Sequence, residues 1–205
     1  LPRSLSKLKD EHNFDFELFG SAFNHTYSNY CSLFYDIESY FGSKGSCFRL
    51  TSLEGNYYAN PPFNERLMNM MYESINRSLE TTKGDLNYYI VLPVWDEKGK
   101  KLLEEHCTKY RKFKDDYEDN DFKAVLKLKN NKHKQYHLIL CQDKVPYFNF
   151  FHNKDVSNVS ATNVFILGKK TNKKRRDSLV ETTKKMYLLC NNDFTPLDEQ
   201  TEICK

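Results

Sequence analysis

Apolar and polar positions along the chain fall into short β-like runs separated by longer stretches with helical spacing. Phe14, Phe16, Leu18 and Phe19 predict a strand over 14–19, ended by Gly20-Ser21. A second short strand is expected at 31–34, closing on Tyr35-Asp36. A third is expected near 47–50, behind the Gly/Ser-rich turn Gly42-Ser43-Lys44-Gly45-Ser46. Residues 56–59 read as a further strand, stopped by Pro61-Pro62, because proline offers no N–H to a ladder. Beyond it Leu67, Met70, Met71, Ile75 and Leu79 recur at steps that put them on one side of a helix over 64–82. The Met-rich face of that helix is read as sheet-packing core. Strands follow at 87–93, 135–141 and 163–167, and a last helix over 178–189 presents Leu179, Met186 and Leu189 to the core.

This order is that of βαβ units, so the fold class is α/β with a mainly parallel sheet flanked by helices. The stretch 97–131 opens with a helical signal at Leu102-Leu103 and continues with dense charge of both signs, which reads as a surface insertion or a mobile lid. No repeat and no long linker divides the chain, so 1–205 is expected to be a single domain.

Composition sharpens this picture in three ways. A mean hydropathy of −0.75 is low, but 15% of residues are aromatic, which argues for a ring-rich core and against disorder. The longest apolar and aromatic run, Tyr88-Tyr89-Ile90-Val91-Leu92-Pro93-Val94-Trp95, is far short of the ~20 residues of a membrane helix, so no membrane partner is expected. The first ten residues carry no apolar stretch of the signal-peptide kind, and the chain is expected to begin close to its first strand.

Thirty-one Lys and Arg against 28 Asp and Glu leave a formal charge of +3, so distribution matters more than the sum. Lys169, Lys170, Lys173, Lys174, Arg175 and Arg176 form one basic run, and Lys127, Lys129, Lys132 and Lys134 beside His133 form another. Each could follow nucleic-acid phosphates, or be a solvated face or localisation tag. The six cysteines show no CxxC and no Cys/His spacing for zinc, so no metal is expected and they read as buried small hydrophobes in a reducing compartment. The triplets at Asn24, Asn76 and Asn158 are taken as chance in an Asn-rich chain.

The most informative residues are Asn60-Pro61-Pro62-Phe63, set where a strand ends and a helix begins, the place where open α/β sheets bind ligands. An exocyclic adenine amine is a weak nucleophile because its lone pair is delocalised into the ring. An Asn side-chain oxygen and a proline carbonyl can each accept one amine hydrogen, favouring a pyramidal nitrogen whose lone pair faces an electrophile. Two prolines stiffen the turn that aims those acceptors, and Phe63 offers a stacking face worth about 1–3 kcal/mol to a base. No strong general base is needed, since the amine proton becomes acidic once nitrogen is alkylated. The alternative is a structural turn without chemistry.

The electrophile's place is expected at the end of the first strand. There Glu17-Leu18-Phe19-Gly20-Ser21-Ala22 has an acid followed by small residues, an order that lets backbone approach a cofactor. Asp36 is placed to accept hydrogen bonds from ribose hydroxyls, or else simply starts a turn.

Phe16-Glu17-Leu18-Phe19-Gly20-Ser21-Ala22-Phe23-Asn24, Tyr30-Cys31-Ser32, Tyr40-Phe41-Gly42-Ser43-Lys44-Gly45 and Ala59-Asn60-Pro61-Pro62-Phe63 with Glu65, Leu67 and Met68 resemble the phosphorylated CTD-interacting factor family. The likeness is near-continuous from Phe16 to Met71 and looser around Trp95, His137 and Asn163. The resemblance implies a Rossmann-like class I methyltransferase fold and an enzyme that uses S-adenosyl-L-methionine to methylate N6 of the 2′-O-methyladenosine next to the mRNA cap. It implies that Asn60, Pro61, Pro62 and Phe63 hold the adenine amine. It further implies that Glu17, Leu18, Phe19, Gly20, Ser21, Asn24, Asp36 and Asn60 line the cofactor pocket, and that Phe63, Glu65 and Trp95 face the substrate. Lys173, Lys174 and Arg175 are expected to meet RNA.

Family members lacking the Asn are expected to be inactive, and Asn60 is present here. The family's helical region ahead of the catalytic part is expected to come from a partner domain or chain, and the 97–131 segment is longer than the family's equivalent. Capped mRNA is the expected partner and the nucleus the expected location, with cytoplasm as the alternative. The competing functions are an inactive RNA-binding scaffold and an adenine-N6 methyltransferase of internal RNA or DNA sites.

Overall fold

The computed structural model describes residues 2–51, 53–94, 123–140, 146–149, 154–157, 161–188 and 197–198. In chain order they form α1 (Pro2–His12), β1 (Phe16–Glu17), β2 (Asn29–Tyr30), α2 (Tyr35–Glu38), β3 (Gly55–Ala59), α3 (Glu65–Thr81), β4 (Leu86–Pro93), α4 (Lys123–Lys129), β5 (Lys134–Leu140), β6 (Pro146–Asn149), β7 (Lys154–Ser157), β8 (Thr162–Lys169), α5 (Lys173–Leu188) and β9 (Leu197–Asp198). Seven of these strands make one sheet in the order β2-β1-β3-β4-β8-β5-β9, and β6 and β7 pair as a separate hairpin.

The four strands β2, β1, β3 and β4 are parallel, as the alternation of strand and helix requires. The other half of the sheet corrects the expectation of a mainly parallel one. β8 lies antiparallel to β4 over eight pairs, Leu86↔Lys169 to Pro93↔Thr162, and is antiparallel to β5 as well. The reason is connectivity: a parallel return needs a crossover, usually a helix, whereas the described residues between β5 and β8 form only the β6–β7 hairpin. The chain therefore re-enters the sheet from the end at which it left.

Side chains alternate across the sheet and seed two cores. Leu86, Tyr88, Ile90 and Leu92 of β4 join Met68, Met71, Ile75 and Leu79 of α3 and Ala124, Val125 and Leu128 of α4. Tyr89 and Val91, on the opposite face, join Leu5 and Leu8 of α1 and Leu179 and Met186 of α5. All eight residues of β4 are buried, which makes it the sheet's centre. The four buried α3 side chains contribute together about 6–12 kcal/mol at ~1.5–3 each, an upper figure because an unfolded chain already hides some surface. Asn64 starts that helix by accepting from Leu67 N–H at 3.1 Å.

Several local expectations change: the last helix begins at Lys173, five residues ahead of its expected start, and the first strand is only Phe16–Glu17. The chain opens with a helix and not directly with a strand, because Leu5, Leu8 and His12 share one helical face. His12 Nε2 meets Thr182 Oγ1 at 2.8 Å, and Tyr27 donates to the Leu5 carbonyl at 2.9 Å. The strand expected at 47–50 is a 3-10 turn, Cys47–Arg49, whose first free N–H, that of Phe48, is met by Ser46 Oγ. The second strand lies at Asn29–Tyr30, and Leu33, Phe34, Tyr35 and Ile37 beyond it are exposed. The tail of the charged 97–131 segment is α4, packed by three buried apolar residues against α3, while 97–122 lies outside the described residues.

Candidate functional site

Asn60 follows β3 at the carboxyl end of the parallel strands, where Ala59 still pairs with Ile90. The corner is fixed from both sides. Pro62 accepts from Asn64 N–H at 2.8 Å, and the Asn64 carbonyl accepts from Met68 N–H at 2.9 Å, so the diproline runs straight into the first turn of α3. Asn60 is half-buried and Pro61 buried, while Phe63 exposes 40% of its surface beside them. Asn60 Oδ1 is fully buried and has no hydrogen-bond partner among the described residues. A buried acceptor left in this state costs about 1–3 kcal/mol, a penalty that a donor reaching it would relieve.

Two more acceptors stand in the first turn of α3. Glu65 Oε1 accepts from Lys123 N–H at 3.0 Å and from the Asn69 amide, tying the start of α4 to that of α3. Glu65 Oε2 and Asn69 Oδ1 are buried without partners. Around the corner the chain thus presents three oxygens that can only accept, an arrangement suited to a ligand rich in N–H groups.

The loop after β1 is organised differently from the expected cofactor cradle. Glu17 is buried, and its Oε2 accepts from Thr26 N–H at 2.8 Å, so its carboxylate closes the loop on itself; burial pushes its pKa up. Leu18 and Phe19 turn into the α3-side core, Phe19 meeting Phe48 edge to face at 6.1 Å. Gly20 is needed for close packing: a Cβ there would lie 3.1 Å from the Tyr30 ring and 3.2 Å from His25, which stack on each other at 4.2 Å. Its open face is filled by the chain itself. Ser21 donates to Asn24 Oδ1 at 2.9 Å in the exposed turn that follows, and Asp36 is exposed in the first turn of α2.

The acid that joins the two loops is Glu38, two residues beyond the one chosen from sequence. Its Oε1 accepts from Ala22 N–H at 3.0 Å and its Oε2 from Phe34 N–H at 3.3 Å. Burial alone would raise its pKa; the Ala22 N–H, the Ser32 hydroxyl and the Phe34 N–H outweigh that and hold it below the ordinary value. Nothing in the spacing of Asp36 and Glu38 distinguishes them, because the difference arises only when the two loops meet. In the loops that follow β1 and β2, Asn24 and Asp36 are exposed and Ser21 half-buried, and the rings of Phe23, Phe34 and Tyr35 are exposed as well. Hydroxyl, amide and carboxylate groups beside aromatic faces fit an adenosyl group in kind.

The basic residues go elsewhere. Arg175 donates to Asn56 Oδ1 at 3.2 Å and pairs with Asp85 at 3.4 Å, at the amino ends of β3 and β4. That is the opposite end of the sheet from Asn60, about 13 Å away along β3 at ~3.3 Å per residue. Lys173 and Lys174 share the same end, exposed at the start of α5. Lys169 donates to the carbonyls of Glu80 and Thr82 at 2.9 and 2.8 Å, capping the carboxyl end of α3. Lys127 pairs with Glu73 at 2.6 Å and Lys132 with Glu80 at 2.7 Å. The structure thus brings Asn60, Pro61, Pro62, Phe63 and Glu65 together and separates Lys173, Lys174 and Arg175 from them; Trp95 lies outside the described residues.

Cys31 and Cys47 are free and buried, and burial pushes both thiols up to about 12, so they are inert packing groups. The remaining four cysteines lie outside the described residues. No described helix is long and apolar enough to cross a membrane, and no three metal-ligating side chains cluster among the described residues.

An α/β chain whose parallel strands end in an Asn-Pro-Pro-Phe corner with orphaned acceptors has the build of a protein that binds its ligand at the carboxyl ends of those strands. Residues 2–137 match the family model described as "Phosphorylated CTD interacting factor 1 WW domain", two thirds of the chain, and the chain belongs to that family. The described residues of the matched stretch belong to the α/β fold, and the chain holds a single Trp. It is similar to the mRNA (2′-O-methyladenosine-N(6)-)-methyltransferases of Mus musculus and Homo sapiens, at 42% identity over 82 residues in each case. That stretch is 40% of this chain and 12% of the length of either relative.

Proposed function

We propose that this chain is an S-adenosylmethionine-dependent RNA adenosine N6-methyltransferase, acting on the cap-adjacent 2′-O-methyladenosine of mRNA. The observation that carries the reading is Asn60 Oδ1, buried and unpaired in a corner stiffened by two prolines. An adenine amine is a donor of the kind this acceptor lacks. With one amine hydrogen on Asn60 Oδ1 and the other on a proline carbonyl, the nitrogen lone pair is turned away from the ring, and Phe63 offers its exposed face to the base. Glu65 Oε2 and Asn69 Oδ1 add acceptors for further N–H groups of the substrate.

Support for a Rossmann-like class I methyltransferase reading comes from the adjacent parallel β1 and β3, the helices on both faces and the antiparallel β8 beside the parallel set. Ser21, Asn24 and Asp36 with the neighbouring rings would hold the donor, and when bound it supplies an electrophilic methyl on a sulfonium. Glu17, Gly20 and Glu38 hold the loops on which those residues stand. The names of the relatives support mRNA bearing 2′-O-methyladenosine as substrate, and the family's description supports a nuclear location; the cap, and a helical domain or partner chain supplying its pocket, belong to the same reading.

The test is mass mapping of methylated nucleotides after incubation with S-adenosylmethionine and a mixed pool of capped and uncapped RNA. N6,2′-O-dimethyladenosine next to the cap is expected, and Asn60→Ala is expected to abolish it. Equal labelling of internal adenosines or of DNA would replace the substrate within the same chemistry. Calorimetry showing no uptake of the cofactor, with RNA present, would instead make the chain a scaffold.

A further inference from the structure

Beside the carboxyl-terminal half of α3, well away from the Asn60 corner, lies an open cavity of about 640 Å³. Its walls come from the segment around Phe48, from Arg77 and Thr81 of α3, and from Lys83 in the turn before β4; Arg49 and Leu53 complete it. The volume falls within the ~300–1,000 Å³ of ordinary ligand sites.

Three cations converge on this space from different elements: Arg49 from the 3-10 turn, Arg77 from the helix and Lys83 from the following turn. All three are exposed, and among the described residues none has an ion-pair partner or donates a side-chain hydrogen bond. Lys127, Lys132, Lys169 and Arg175, by contrast, are each held by a carboxylate or by helix-end carbonyls. One carboxylate shares the cavity, that of Glu54, pressed so closely over Gly84 that a Cβ at that residue would have no room. The local balance is two positive charges. Phe48, half-buried and braced edge to face by Phe19, supplies an apolar plate.

We infer that this cavity binds a single-stranded nucleic-acid segment, with backbone phosphates on Arg49, Arg77 and Lys83 and a base against Phe48. A lone inorganic anion would leave most of the volume, and the Phe48 ring, without contacts. Arg77 stands 12 residues along α3 from Glu65, about 18 Å at 1.5 Å per residue, so a strand in the cavity can lie along the same helix that starts at the corner. The assignment goes beyond the chemistry proposed for Asn60, and its test uses a strand without adenine or cap.

The experiment measures fluorescence anisotropy of a labelled oligouridine titrated with the whole chain between 50 and 200 mM salt. The unaltered protein is expected to bind, with log K falling linearly against log salt. The triple variant R49Q/R77Q/K83Q is expected to bind at least tenfold more weakly at the lowest salt and to flatten the slope by about two, from three lost contacts at ~0.7 each. The triple K173Q/K174Q/R176Q, which removes the same charge at the start of α5, is expected to change neither by more than twofold. Equal losses in both triples would mean diffuse attraction and overturn the site, as would an unaltered slope in the first. Inorganic polyphosphate of matched charge binding as tightly as oligouridine would overturn the assignment to nucleic acid, whereas oligodeoxyuridine binding equally well would support backbone recognition without sugar selectivity. Should the first triple melt lower than the parent, R77Q alone carries the test, with about a threefold loss expected and no loss refuting it. Asn60→Ala is expected to leave oligouridine binding unaltered, so failure at the corner and failure here give different results.

Discussion

Replacing Asn60 by Ala should remove methyl transfer and at the same time leave the protein as stable as before, or more so. The side-chain carbonyl is buried without a donor, a state that costs about 1–3 kcal/mol in a folded chain. Truncation removes that group and forfeits the packing of the half-buried carboxamide carbon, about 0.8 kcal/mol when counted like a buried methylene. The net expectation is a gain between about zero and 2 kcal/mol. For a chain of this length each kcal/mol moves the melting midpoint by roughly 2–4 °C, so a rise of up to about 8 °C is expected. Differential scanning fluorimetry with and without a 2′-O-methyladenosine-initiated capped RNA gives the stability arm, and transfer of a labelled methyl group gives the activity arm. The parent should gain stability from the RNA, because the ligand supplies the missing donor, and the variant should gain less. A fall of the midpoint by more than about 4 °C in the variant would refute the reasoning, since Asn60 would then be holding the corner together and not waiting for a ligand.

Three further outcomes follow from the surrounding structure. Gly20→Ala places a Cβ against the stacked His25 and Tyr30 and should cost about 1–3 kcal/mol, read by urea denaturation; an unchanged midpoint would show that the stack yields freely. Glu38→Gln should destabilise the protein at neutral pH, because the folded state holds this carboxyl below its unfolded value of 4.5. The stabilising contribution is present above that value and disappears as pH falls through the lowered folded one, so parent and variant melts should converge under acid conditions; a difference that widens on acidification contradicts this. Arg175→Met should lower stability by about 1–2 kcal/mol, through loss of its bonds to Asn56 and Asp85, while methyl transfer per folded molecule stays unchanged; loss of activity without loss of stability would place Arg175 on the substrate.

Periodicity alone marked α3, β3, β4 and β5 to within one residue at each end, and β8 to within two. It marked the Asn-Pro-Pro-Phe corner as well, because a strand cut by two prolines and followed by a helix is a local event. The sequence was less informative about short elements. β1 and β2 have two residues each, and so short a strand has no period of its own. α1 was passed over because polar residues dilute its apolar face, which acquires meaning only once α5 covers it.

Four things therefore belonged to the sequence: the α/β class, the helix that backs the site, the corner with its acceptor, and the likeness to a family of methylating enzymes. The tertiary structure alone decided which acid bridges the loops, that β8 runs backwards, and that the conspicuous basic runs are tied to α3 or sit at the wrong end of the sheet. It also gathered Arg49, Arg77 and Lys83, unremarkable and far apart in the chain, around one cavity. The reason is range. Turns, caps and amphipathic faces are set by neighbours within a few residues, whereas charge pairing and the ends of a sheet are set by contacts between segments that the chain's order does not bring together.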